Sequence, residues 1–185
     1  MKKIIALALA MLLVLSCAAF AEEAAAYTYT EYNYDETLFE GIGGDWIAMD
    51  SLGLMFYLPD VYTAAEVSEE MAEKGFVGIF GADDGVGVYT VAYGPAVDVD
   101  GNPIATVEDL AAYYTAVGAT NVDVIIVNGI PVVTSLMEAN DNLSYSVFFE
   151  DSTQCILSFG PASDANTTLL AGLMVTSLMV AEVEE

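Results

Sequence analysis

Short apolar runs separated by turn residues dominate this chain, and their pattern predicts a protein built mainly of β-strands. The strongest local signal is Asn128-Gly129, which separates two apolar runs and is typical of a two-residue β-hairpin turn. Further turn signals lie at residues 83–85, 140–142 and 151–152. The predicted strands cover residues 52–58, 76–80, 86–93, 122–127, 130–138, 145–150 and 154–160.

Apolar residues with helical spacing interrupt these strands in three places. The predicted helices cover residues 63–74, residues 106–117, and a segment from 163 or 164 to about 178. Thr63 and Glu66 have the spacing of a capping box, and Thr106 and Asp109 are placed to cap the second helix. Because consecutive strands follow each other with tight links, we predict an α+β fold, an antiparallel sheet with helices packed on it.

The alternation within the strand at residues 145–150 indicates which of its faces is buried. Tyr145 and Val147 alternate with Ser144 and Ser146. Successive residues of a strand point to opposite faces of the sheet, so we expect one face of this strand to pack inward.

The N-terminal segment differs from the rest of the chain and sets the predicted domain organisation. Residues 1–21 have a basic start, an apolar stretch and an Ala-x-Ala ending, which predicts a bacterial signal peptide and a secreted protein. The alternative is a membrane-anchored lipoprotein modified at Cys17, since a lipobox-like sequence precedes that residue. The predicted segments are a signal peptide (1–21), a tyrosine-rich linker or arm (22–41), a single α+β domain (42–180) and an acidic tail (181–185).

The charge balance restricts the kinds of partner that this protein can have. The chain has 28 Asp and Glu residues against three Lys and Arg, which gives a formal net charge of −25 at pH 7. Such a surface repels phosphate backbones and anionic lipid, so we expect neither nucleic acid nor polybasic membrane docking. Cations, cationic peptides and neutral glycans remain as possible partners. At 56% hydrophobic residues, the composition predicts a folded domain with an acidic surface.

The residues that most enzymes use at neutral pH are almost absent. The sequence has no histidine and no arginine, and Lys74 is the one lysine beyond the predicted signal peptide. Lys74 follows Glu70 by four residues near a predicted helix end, which indicates a structural role. Cys155 alternates with apolar neighbours and has no histidine to activate it, so we expect a buried, unreactive thiol. We therefore predict no enzyme, no catalytic residue and no cofactor.

One loop has residues of the type that bind calcium. Asp98, Asp100 and Asn102 offer oxygen ligands at alternate positions, but Gly101 stands fourth rather than sixth in this loop, unlike the glycine of an EF-hand. The interpretation that we favour is a polar turn, and we predict no metal-binding residue.

Four short segments resemble the PsbP-like fold. They are residues 54–59 at the start of the sheet, residues 107–110 at the start of the central helix, residues 128–131 between strands, and residues 173–177 near the end of the chain. The likeness covers about residues 43–180. The resemblance implies an α/β/α sandwich with an antiparallel sheet and a binding or accessory role without catalysis. It places no functional residue on this chain, and fold likeness does not fix function.

The expected function is that of an exported, non-catalytic binding or accessory module. Its partner would be an unknown protein or glycan at the cell exterior, contacted by the sheet surface or by an arm containing Tyr27, Tyr29, Tyr32 and Tyr34. One alternative is a glycan hydrolase, since that chemistry needs only two carboxylates. The other alternative is a weak calcium-dependent surface adhesion module. The sequence leaves the oligomeric state open.

Overall fold

The computed structural model describes residues 27–181, and within this range eleven strands form two sheets. The predicted signal peptide, Cys17 and residues 182–185 lie outside the described residues. The strands are β1 (Thr30–Tyr32), β2 (Gly44–Met49), β3 (Leu54–Pro59), β4 (Tyr62–Ala65), β5 (Phe76–Ala82), β6 (Val88–Pro95), β7 (Thr120–Val127), β8 (Ile130–Met137), β9 (Asn142–Phe148), β10 (Thr153–Gly160) and β11 (Met179–Val180). The α-helices are α1 (Glu69–Glu73), α2 (Val107–Ala116) and α3 (Ala165–Thr176).

The larger sheet has eight strands in the order β1-β7-β8-β9-β10-β6-β5-β4. Its neighbouring strands are antiparallel except for β1 and β7, which run parallel with Thr30 opposite Ile125. The smaller sheet is antiparallel and has the order β11-β3-β2. The predicted α+β class is therefore confirmed, with one parallel pair that the sequence did not indicate.

Each face of the larger sheet has its own hydrophobic core. On one face, the small sheet and α3 cover a core around Tyr89, whose ring stacks on Phe159 with the ring centroids 4.6 Å apart. Phe56 of β3 meets the edge of the same tyrosine at 5.7 Å. On the other face, α2 packs Leu110 and neighbouring side chains against β7 and β8. The molecule thus has three layers, with the eight-stranded sheet in the middle.

Two local predictions are confirmed because short-range contacts determine them. The Thr106 hydroxyl accepts a hydrogen bond from the Asp109 N–H at 3.1 Å, which caps α2. Asn128 and Gly129 form the turn between β7 and β8 with φ angles of +48° and +82°. Positive φ at both turn residues is what a type I′ hairpin needs, and Asn and Gly adopt it readily.

The predicted helix over residues 63–74 is wrong in its first half. Residues Tyr62–Ala65 form the edge strand β4, which pairs with β5, and Tyr62 is buried in the core. The helix is only Glu69–Glu73, and Ser68 caps it in place of Thr63. Pairing with β5 and burial of Tyr62 therefore override a local capping signal in this segment.

The sequence pattern missed most of the small sheet. Residues Gly44–Met49 form β2, and Met179–Val180 near the end of the chain form β11. The third helix ends at Thr176, since the chain then turns to bring β11 beside β3. These elements depend on pairing between distant segments, which local periodicity does not reveal.

The strand β9 is covered on both faces. Tyr145 and Val147 face α3, as the alternation predicts for one packed face. Ser144 and Ser146 are also buried, at 9% and 0% exposure, on the face that carries α2. The Tyr114 hydroxyl of α2 lies 2.8 Å from the Ser146 hydroxyl, so polar contacts satisfy part of this second face.

Candidate partner-binding surface

Four aromatic side chains form a closed group on the outer side of the small sheet. We call this group, Tyr34, Phe39, Trp46 and Tyr57, the aromatic patch. Its ring centroids lie 5.4 Å apart for Tyr34 and Phe39, 5.1 Å for Phe39 and Tyr57, 5.8 Å for Tyr57 and Trp46, and 5.6 Å for Trp46 and Tyr34. Each ring therefore contacts two others, at distances typical of favourable aromatic pairs.

The backbone of the small sheet sets the positions of two of these rings. Trp46 of β2 and Tyr57 of β3 are register partners, so their side chains stand on the same face. The Tyr57 hydroxyl donates a hydrogen bond to the carbonyl oxygen of Ile42 at 2.9 Å. The Ser177 hydroxyl accepts a hydrogen bond from the Tyr57 N–H at 2.8 Å, which ties β3 to the end of α3.

The other two rings come from the segment before the small sheet. Phe39 ends a 3₁₀ turn (Glu36–Phe39) that Asp35 caps by accepting hydrogen bonds from the N–H and hydroxyl of Thr37 at 3.0 and 2.7 Å. These bonds hold the pKa of Asp35 below its usual value. The Tyr34 N–H donates to the side-chain oxygen of Asn128 at 2.5 Å. Both rings are thereby fixed by neighbouring polar contacts.

Part of the aromatic patch is open to solvent. Phe39 is buried at 8% exposure and forms its floor, whereas Tyr34 and Trp46 are 36% and 38% exposed. Exposed aromatic side chains that lie together in one patch can mark a site of contact with another molecule, and Trp and Tyr are enriched where partners bind.

Acidic side chains border the patch. Burial raises the pKa of Tyr57, and the nearby carboxylates of Asp60 and Asp45 raise it further. Gly43 and Gly44 allow this arrangement: a Cβ at Gly43 would collide with the Asp60 carboxylate, and one at Gly44 would collide with the backbone of β3 and the Tyr57 ring. Carboxylates beside aromatic faces make a surface that attracts positive charge.

Positive charge is scarce in the part of the chain that the structure describes. Lys74 is the single basic residue between positions 27 and 181. Its ammonium group lies 2.7 Å from the Glu70 carboxylate at the end of α1. The patch therefore has no arginine or further lysine from within this range to neutralise its carboxylates.

The tyrosines predicted to form a binding arm are divided among separate environments. Of these residues, Tyr34 alone belongs to the aromatic patch. The Tyr29 hydroxyl donates to Glu108 of α2 at 2.5 Å, and Tyr27 packs against the core on that side of the sheet. Tyr32 lines a cavity of about 790 Å³ between α3 and β7–β9. The arm thus lies along the sheet edge, where alternate residues reach opposite faces.

The remaining sequence candidates have structural roles. Cys155 is fully buried beside Leu157 and Phe159, as the alternation predicts, and burial raises its pKa to about 12. Asp98 closes its own loop by accepting hydrogen bonds from the N–H groups of Asp100 and Asn102, each at 2.9 Å. No group of three or more Cys, Asp or Glu residues gathers at a metal-binding distance within residues 27–181.

Among residues 27–181, the carboxyl groups with shifted pKa values are all more acidic than usual. They are Asp35, Asp84, Asp98, Glu108 and Asp123. For Asp98, the largest cause is the hydrogen bond from the side chain of Asn102, followed by the bond from its backbone. A glycosidase acid needs the opposite shift, so none of these five groups suits that role.

Comparisons with known proteins find similarity at the level of structure only, and that similarity is weak. No family model matches the chain, and no curated protein matches it. A similar solved structure is that of the Saccharomyces cerevisiae Ran-binding protein Mog1p, with 11% sequence identity and a TM-score of 0.43. The match covers 77% of this chain and 97% of that protein. At this level the likeness transfers no function.

None of the helices within residues 27–181 has the length and hydropathy required to cross a bilayer.

Two predictions are corrected by these comparisons. The identification with the PsbP-like fold is corrected: no family model matches the chain, and the comparison of structures gives a Ran-binding protein. The prediction of a secreted protein, or of a lipoprotein anchored through Cys17, finds no support in these comparisons and is withdrawn. The predicted signal peptide itself lies outside the described residues.

Proposed function

We propose that this protein is a non-catalytic binding module that holds a positively charged segment of a protein partner on its aromatic patch. The observation that carries this proposal is the exposed pair Tyr34 and Trp46, which packs in one group with Tyr57. The Tyr57 hydroxyl lies close enough to the carboxylates of Asp60 and Asp45 for them to raise its pKa. An arginine or lysine side chain can place its charge over an aromatic face and close to a carboxylate at the same time.

The charge of the whole protein supports the same partner chemistry. A formal net charge of −25 attracts cationic molecules over a distance of about one Debye length, which is about 8 Å at physiological salt. Anionic partners are repelled by the same field. Electrostatic attraction then raises the rate of encounter, and the aromatic contacts hold the bound segment.

The polypeptide nature of the partner is supported by the shape and composition of the patch. Its rings mostly pack edge to face, and two of them are exposed to solvent, whereas small ligands are usually held in concave sites. Trp and Tyr at the centre of a contact, surrounded by polar residues, are typical of the residues that contribute most to protein–protein binding.

A non-catalytic role is supported by the chemistry of the described residues. The chain has no histidine or arginine, and the Cys155 thiol is buried with its pKa raised to about 12. The five shifted carboxyl groups are held as carboxylates by hydrogen bonds. Three of them, Asp35, Asp84 and Asp98, accept backbone N–H groups of their own turns. These groups therefore stabilise loops and turns.

The proposal can be tested by following the fluorescence of Trp46, which is the one tryptophan in the sequence. The purified protein is titrated with a short peptide rich in arginine, and separately with the same peptide in which citrulline replaces each arginine. We expect the arginine peptide to shift the emission of Trp46 in a saturable manner that weakens as salt is added. An unchanged emission at millimolar peptide, or an equal response to the citrulline peptide, would contradict the proposal.

A further inference from the structure

A row of hydroxyl side chains crosses the face of the larger sheet that carries α2. Ser135 of β8 is opposite Ser144 of β9, Ser144 is opposite Ser158 of β10, and Ser158 is opposite Thr90 of β6. Adjacent strands lie about 4.8 Å apart, so the row presents hydroxyl groups at a regular spacing. The Ser144 and Ser158 oxygens are 3.0 Å apart and hydrogen-bonded to each other.

The three serines of this row line a cavity of about 310 Å³ next to α2, which we call the hydroxyl cavity. Ser135, Ser144 and Ser158 contribute hydroxyl groups to its wall, and Asn140 and Asn142 contribute amides. The Asn142 side-chain oxygen accepts a hydrogen bond from the Ser144 hydroxyl at 3.0 Å. The volume lies at the lower end of the range for small-ligand sites, about 300 to 1,000 Å³.

The wall of the hydroxyl cavity has no charged side chain, although the protein is strongly acidic. Aromatic and apolar groups complete the wall, with Tyr113 and Tyr114 from α2 and Ile156 from β10. The Tyr114 hydroxyl is held by Ser146 at 2.8 Å and by Gln154 at 3.1 Å, which fixes this ring. An uncharged mixture of hydroxyl, amide and ring surfaces suits a ligand that is itself neutral and polar.

One polar group at this cavity lacks a partner. The hydroxyl oxygen of Ser135 is buried and makes no hydrogen bond with any other residue of the described chain. A buried hydroxyl without a partner is unfavourable, so such groups usually have a water or a ligand beside them. This observation is independent of the row itself and indicates a missing hydrogen-bonding molecule.

We infer that the hydroxyl cavity binds a neutral sugar ring. The hydroxyl groups of the sugar would exchange hydrogen bonds with Ser135, Ser158 and the side-chain amides of Asn140 and Asn142. An apolar face of the sugar would lie against the Tyr113 ring. The cavity is on the face of the larger sheet that carries α2, whereas the small sheet with its aromatic patch covers the other face. The inference therefore stands independently of the proposed cationic partner.

The test is a nuclear magnetic resonance titration of the full chain with glucose, galactose, mannose and N-acetylglucosamine. Glucuronate serves as the anionic control. We expect at least one neutral sugar to shift the amide signals of residues around the cavity, above all those of Asn142 and Ser158. Shifts with none of the four sugars, or equal shifts with glucuronate, would overturn the inference.

Two matched variants test whether the row of hydroxyl side chains takes part in sugar binding. Ser135→Ala removes the hydroxyl without a partner, so the free protein should be as stable as the wild type or more stable. Its affinity for the sugar should fall about fivefold, since one hydrogen bond contributes about 1 kcal/mol. Thr90→Val removes a hydroxyl of the same row that does not line the cavity, and it should leave the affinity unchanged. Wild-type affinity in Ser135→Ala would overturn the inference that the sugar hydrogen-bonds to this hydroxyl group.

Discussion

The side-chain oxygen of Asn128 accepts a hydrogen bond from the backbone N–H of Tyr34 at 2.5 Å. The amide nitrogen of the same side chain donates to the carbonyl oxygens of Thr176 and Leu178 at 3.0 and 2.7 Å. One turn residue therefore connects the β7–β8 hairpin with the end of α3 and the chain just after it, and with the backbone of Tyr34, a residue of the patch. Removal of this side chain should affect both stability and the position of Tyr34.

We expect Asn128→Gly to lower the free energy of unfolding by about 1 to 3 kcal/mol, because three hydrogen bonds are lost while the positive φ remains easy to adopt. Asn128→Ala should cost about 1 kcal/mol more, since alanine also strains a backbone with φ of +48°. Urea unfolding of both variants measures these differences. A glycine variant as stable as the wild type would show that the side-chain bonds contribute nothing.

The close approach of β2 and β3 depends on the absence of a side chain at Gly44. A Cβ there would collide with the carbonyl oxygen of Leu58 and would lie 2.7 Å from the Tyr57 ring and 2.9 Å from Cα of Pro59. Two of these atoms belong to the backbone of β3, which cannot move aside as a flexible side chain could, so Gly44→Ala should destabilise the protein by about 1 to 3 kcal/mol.

A matched control for this substitution is Gly94→Ala in β6, where a Cβ would meet no atom within 4 Å. We expect this control to change the stability by less than about 0.5 kcal/mol. Thermal or urea unfolding, followed by far-ultraviolet circular dichroism, gives the comparison. If both variants lose the same stability, alanine is unfavourable in these strands in general. That result would contradict the explanation from the close approach of β3 to Gly44.

Burial of Cys155 should make the protein sensitive to alkaline pH. Burial raises the pKa of this thiol from 9.0 to about 12, so the folded state holds the proton more firmly than the unfolded state. The resulting stabilisation is complete below pH 9 and is lost as the pH rises toward 12. Its size is on the order of 3 to 4 kcal/mol.

The measurement is the free energy of unfolding in urea as a function of pH for the wild type and for Cys155→Ala. The variant has a constant penalty from its smaller side chain, but it should lack the part of the alkaline loss that comes from the thiol. Tyr89 also contributes an alkaline loss in both proteins, because burial raises its pKa, and the nearby Cys155 raises that pKa further in the wild type. Parallel pH profiles for the two proteins would show that the thiol is not the group responsible.

Local signals allowed part of the fold to be predicted. The cap at Thr106 and the turn at Asn128-Gly129 were predictable because each depends on neighbouring residues only. By contrast, β2 and β11 both pair with β3, although β11 lies more than a hundred residues further along the chain. Their short sequences have no strong periodicity, so tertiary pairing decides their structure.

The candidate surface was harder to predict than the fold. Tyr34 was recognised as part of a tyrosine-rich arm, but its partners Trp46 and Tyr57 come from two strands whose register the sequence does not reveal. The pair Gly43-Gly44 beside the one tryptophan was a usable signal, since adjacent glycines often mark a close approach of backbones. The buried serines of β9 escaped prediction because α2 covers a face that serines usually present to water.

The most direct test of the proposed function is the affinity of the arginine peptide for two double variants of equal charge, measured by calorimetry. Asp45→Asn/Asp60→Asn removes two carboxylates beside the aromatic patch, and Glu69→Gln/Glu73→Gln removes two from α1. We expect the first variant to bind about tenfold more weakly, since each surface carboxylate contributes up to about 1 kcal/mol, and the second to bind less than about twofold more weakly. Equal affinities for the two variants would contradict binding at the aromatic patch.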